Sequence, residues 1–146
     1  MRTRNLIVTA GAGAVALLLG TAAPAGAGEA GGDHEVTFTD GNGAEVTCLV
    51  NASSSTDPEQ HTAQAQIAFV TAATPPDPRC LVNGVSVTAT WKDADGDTQT
   101  ASADGGSTQY LNLRSNGVES GYSAIHRIDF EDCTADCVFE VTTSPK

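Results

Sequence analysis

The run from Val85 to Trp91 alternates without a fault. Val85, Val87, Ala89 and Trp91 are apolar, and Ser86, Thr88 and Thr90 between them carry hydroxyls. A period of two puts one set on each face of a β-strand. The same period recurs along the chain. Val36 and Phe38 alternate with polar neighbours, as do Val46, Cys48 and Val50. Tyr122, Ala124, His126, Ile128 and Phe130 form one face of a long strand, and Cys137, Phe139 and Val141 line the last. The segment 63–71 fits through Ala65, Ile67 and Phe69. Its Ala and Gln content would also suit a helix, but the alternation favours a strand.

Turn signals separate these runs. Asp40-Gly41-Asn42-Gly43 makes a hairpin of the first two. Asp93-Ala94-Asp95-Gly96-Asp97, Asp104-Gly105-Gly106 and Ser115-Asn116-Gly117 interrupt the later ones, and residues 51–60 read as a polar loop. Pro75, Pro76 and Pro78 exclude a helix before Cys80. The pattern predicts an all-β fold: an antiparallel β-sandwich of about seven strands and immunoglobulin-like architecture. The likeness is one of architecture alone, because Trp91 follows Cys80 instead of lying between two paired cysteines.

The first 27 residues read as a secretory signal peptide. Arg2 and Arg4 precede an apolar stretch from Leu6 to Leu19, and Ala25-Gly26-Ala27 fits a cleavage site. The stretch falls short of the roughly 20 residues that span a bilayer, so no membrane span is expected after cleavage. Residues 28–33 are small and polar and read as a flexible N-terminus; residues 34–146 read as a single sandwich domain. The Ala- and Gly-rich leader suits a bacterial chain, secreted to the extracellular space.

Four cysteines, Cys48, Cys80, Cys133 and Cys137, remain in the mature chain. An even number in a small exported protein points to two disulfides. The favoured pairing is Cys48–Cys80 with Cys133–Cys137, the second stapling a turn. The alternative ties Cys48 or Cys80 to one of the last two. The full chain has seven basic and eighteen acidic residues. Two of the basic ones sit in the leader, so the mature charge is about −13. That excludes a nucleic-acid partner, which needs cationic patches, and suits solubility, cation binding or a basic partner.

Three constellations could carry function. The hairpin tip places Asp93, Asp95 and Asp97 on alternate residues, and Asp104 lies where a calcium loop would close. Yet the glycine is fourth rather than sixth and the closing residue is not Glu, so a plain acidic turn explains the same residues. Calcium is thus a candidate cofactor here and no other is implied. Secondly, Pro75 and Pro76 stiffen a segment ending at Arg79-Cys80. A stiff, disulfide-held loop loses little entropy on binding, and Arg79 could enter the specificity pocket of a protease; an inter-sheet crossover would look the same. Thirdly, loops 51–60, 74–79 and 115–121 could present contacts to an extracellular protein or glycan.

Catalysis has little support. There is no H-E-x-x-H and no G-x-S-x-G. His126 shares a face with Ile128 and Phe130, which suits a core histidine. The neighbouring carboxylates Asp129 and Glu131, or Asp132 and Asp136, are what eighteen acids produce by chance. Cys133, Cys137 and His126 are better read as a disulfide and a core residue than as metal ligands. Trp91 reads as a core-edge ring. The expected function is therefore a non-catalytic binding or interaction domain.

Overall fold

A computed structural model describes residues 28–69, 79–106 and 110–145. Residues 1–27, where the sequence predicts a signal peptide, and Pro75, Pro76 and Pro78 lie outside the described residues. Among the described residues nine strands run in chain order: β1 (Gly28–Asp40), β2 (Glu45–Asp57), β3 (Thr62–Phe69), β4 (Val82–Lys92), β5 (Thr98–Gly106), β6 (Tyr110–Asn116), β7 (Ser120–Phe130), β8 (Cys133–Ala135) and β9 (Val138–Thr143). They form two antiparallel sheets. One has the order β6-β3-β2-β1-β8 and the other β9-β7-β4-β5. The sandwich and both favoured disulfides, Cys48–Cys80 and Cys133–Cys137, are as the sequence predicts.

The alternation explains the layers. Phe38, Val46, Val50, Ala65 and Ile67 from the first sheet meet Val87, Ala89, Ala124 and Ile128 from the second, all at 2% exposure or less. Phe38 and Phe130 stack across the interface with ring centroids 4.4 Å apart. The segment 62–69 is a strand, and the helical option for it falls: Ala65 and Ile67 face the core at period two.

Three boundaries differ from the sequence expectation. Residues 28–33 are no loose terminus; they belong to β1 and pair with β2 from Gly28↔Thr56 onward. The polar loop shrinks to the turn 58–61, because β2 runs to Asp57. Both changes have one cause. The small residues Ala52 and Ser54 are buried, so the hairpin continues past the large apolar side chains. At Gly31, φ is +94° and an added Cβ would run into the Ala52 carbonyl oxygen. The glycine that looks like a flexible spacer in sequence permits a close approach. Thirdly, β5 continues through Asp104-Gly105-Gly106, where a break was expected. Asp104 pairs with Ser86 beside a register shift.

Candidate functional site

The connections sort to two ends of the sandwich. At one end lie the turns 58–61, 93–97 and 117–119. The last is hydrogen-bonded to the first and to the strand entering the second: Val118 N–H donates to the His61 carbonyl and Glu119 N–H to the Lys92 carbonyl, each at 2.9 Å. Three sequence-distant turns thus make one surface. It carries Asp57, Glu59, Asp93, Asp95, Asp97 and Glu119, of which all but Asp93 are exposed. His61 Nδ1 lies 3.6 Å from Glu119 Oε2.

The tip turn is built by Asp93. Its Oδ1 accepts the N–H groups of Asp95 and Asp97, both at 2.9 Å, and its Oδ2 accepts Gln99 Nε2 at 2.7 Å. The Asp97 N–H first, with Gln99 and Asp95, holds the Asp93 carboxyl below its ordinary value against the opposing effect of desolvation. Gly96 closes the turn at φ +82°. One carboxylate oxygen from each of Asp93, Asp95 and Asp97 lies within 4.8 Å of the others. Asp104 does not join them. It sits opposite Ser86, six residues up β4 from Lys92, which is about 20 Å along the strand. Any cation here would share Asp93 with the donors already bound to it.

Beneath this surface lies a polar trio. Trp91, Tyr122 and Ser115 are at most 7% exposed. The indole Nε1 is buried without a hydrogen-bond partner, and the phenol OH of Tyr122 and Oγ of Ser115 are buried against each other. Burial pushes the Tyr122 hydroxyl up from its ordinary value. Trp91 is a core-edge ring, 6.2 Å from Tyr122 between centroids. Residues 115–121 are mostly strand ends, and only 117–119 form the turn.

The opposite end holds both disulfides, with Cα–Cα distances of 5.9 Å and 5.5 Å. At its centre is Asp40, 3% exposed. One carboxylate oxygen accepts the N–H groups of Asn42 and Ala44 at 2.9 Å, and the other lies 3.4 Å from Arg79 Nη1. The Ala44 N–H, helped by Asn42 and Arg79, lowers the Asp40 pKa although desolvation opposes it. Thr134 Oγ1 donates to the Asp40 carbonyl at 2.8 Å, joining β8 to the turn. Arg79, half-exposed, is therefore engaged with its own scaffold. A protease pocket would have to draw it from that ion pair.

Asp40 is the residue that sequence reasoning undervalued. An Asp opening a Gly-Asn-Gly turn is the signature of a side chain that binds the backbone two residues on. Cys133 and Cys137 are joined to each other, and His126 is wholly buried, so these three do not converge on a metal. Asp129 pairs with Arg127 at 3.2 Å. No family model matches the chain, and no curated protein or solved structure matches it either.

Proposed function

We propose that this is an exported, non-catalytic binding module whose contact surface is the acidic end, and whose partner is a cationic protein surface. The observation that supports the reading is the tying of turns 58–61 and 117–119 to each other, and of 117–119 to the strand entering turn 93–97, by backbone hydrogen bonds. A surface preorganised in this way loses little entropy on association, and its six carboxylates favour encounter with positive charge. The leader and the two disulfides support an oxidising, extracellular setting.

The test uses a lysine-rich decapeptide as the probe, at low ionic strength, by calorimetry. Converting Asp95, Asp97, Glu59 and Glu119 to their amides should abolish binding. Converting Glu45, Glu131, Asp132 and Asp136 at the disulfide end should leave most of it. Equal loss from both variants would reduce the interaction to net charge and end the assignment.

A second reading, calcium held by Asp93, Asp95 and Asp97, is favoured by the 4.8 Å convergence of their oxygens. It is compatible with the first, since a bound cation would order the same surface.

A further inference from the structure

A chain of polar side chains crosses the core between the two sheets. Ser54 Oγ on β2 lies 2.6 Å from Thr143 Oγ1 on β9, and Thr143 Oγ1 lies 2.9 Å from His126 Nε2 on β7. All three residues are at most 4% exposed. The other ring nitrogen, His126 Nδ1, is buried, and the backbone of Gln66 is the one neighbour that favours a proton on the ring. A second imidazole, His34 on β1, packs against Phe139 of β9 at 5.5 Å between ring centroids. Its Nε2 is also buried without a partner. The two rings are close enough to oppose each other's charge.

Both histidines therefore brace β9, and β9 is an edge strand of only six residues held in its sheet by β7 alone. We propose that His34 and His126, with Thr143 and Ser54, form an acid-operated latch that frees β9 and exposes the hydrogen-bonding edge of β7.

The environment of the latch determines the direction. His34 is the one titratable group facing His126 from β1. The inward residues of β2, β3, β4 and β9 beside it are apolar or hydroxylated, with no carboxylate among them. Asp33 acts on His34. Arg127, Asp129 and Glu140 lie on the outer face of β7 and β9, where they pair with one another. A proton on the His126 ring would thus enter a site with no counter-charge. Burial, above all, holds the His126 pKa down at about 4, the His34 ring adds to this, and the backbone of Gln66 offsets it in part. His34 is lowered by burial too, with Asp33 opposing. Release of β9 restores both rings to water and to their ordinary pKa. Acid therefore favours the released form below about pH 6.5. Asp40 and Asp93, whose carboxyls are held below their ordinary value, lose their stabilising effect only as the pH falls below the carboxylate range, under the window in which His126 acts.

Hydrogen exchange of the oxidised mature chain tests the proposal, with rates corrected for intrinsic pH dependence. Between pH 7 and pH 4.5, peptides covering 138–143 should lose protection about 60-fold, the factor by which protons favour a site moving from pKa 4 to 6.5. Peptides covering the β1–β2 turn should not. His126→Gln, which keeps a donor for Thr143 but takes no proton, should blunt that loss. Should this variant fail to fold, proton NMR of the wild-type imidazoles decides. The His126 ring must stay neutral until β9 opens and then titrate with it. Protection of β9 that is unchanged at pH 4.5, that is lost equally in His126→Gln, or that is lost while the His126 ring stays neutral would overturn the latch.

Discussion

The two ends of the sandwich close by different means. At the disulfide end, two covalent bridges and the buried Asp40 carboxylate hold β1, β2, β8 and the approach to β4 together. At the acidic end the turns are held by backbone hydrogen bonds, by the Asp57 and Asp93 carboxylates and by the His61–Glu119 pair, and the buried Trp91 Nε1 beneath them lacks a partner. One end is closed by covalent bonds, and the other, among the described residues, by non-covalent ones. Rigid scaffolding below responsive loops is the arrangement expected of a binding domain.

The sharpest way to break this contrast is to remove the Cys48–Cys80 bridge. With its ends 32 positions apart in sequence, Cys48→Ala with Cys80→Ala should cost about 4 kcal/mol in urea unfolding. A smaller loss than that from the short bridge would put the strength elsewhere. Acid comes next. His126 has a folded pKa below its unfolded value, so its neutral form stabilises the fold above pH 6.5. That contribution declines as the pH drops through the interval down to about 4. The full decline is on the order of 3 kcal/mol, read as a falling urea midpoint that His126→Gln should flatten.

Calcium probes the acidic end directly. At one hundred times its dissociation constant it would raise the melting temperature by about 10 °C relative to chelator, and Asp95→Ala should erase the rise. No shift would leave the tip a turn. Opening the Cys133–Cys137 loop should cost about 2 kcal/mol, half the effect of the long bridge. The smallest expected change is Arg79→Ala, about 0.5 kcal/mol by thermal unfolding, because its ion pair with Asp40 is half exposed. A large loss there would make the disulfide end as dependent on charge as the acidic one.

Much of this was legible in the residues. Val85 to Trp91 and Tyr122 to Phe130 declare their buried faces because large apolar side chains alternate with polar ones. The extension of the first hairpin was not. Gly28 to Asp33 and Asn51 to Asp57 contain small and polar residues, and their pairing depends on a neighbouring strand being present. The acidic tip was visible as a turn. Its partnership with Glu119 and His61 was hidden, because it is made by backbone groups of residues distant in sequence. Asp104 looked like a fourth ligand by spacing alone. Its strand carries it away from the tip, since extended chain moves about 3.3 Å per residue. His126 was recognised as a core residue, but not as the middle of a bridge, since Ser54 and Thr143 lie 89 positions apart.

The close approach at Gly31 has a practical bearing on orientation. Gly31 meets Ala52, Ser53 and Thr143, so the first strand begins and the last strand ends side by side, toward the acidic end. Anything joined ahead of Gly28 or after Pro145 would leave the described fold at that same end. A molecule tethered to a bead or a cell envelope by its tail would therefore turn its carboxylates toward the support and its cystines toward the medium. Immobilisation through a side chain near residue 42 would reverse the view, and it is the geometry to choose for presenting the acidic turns to a partner.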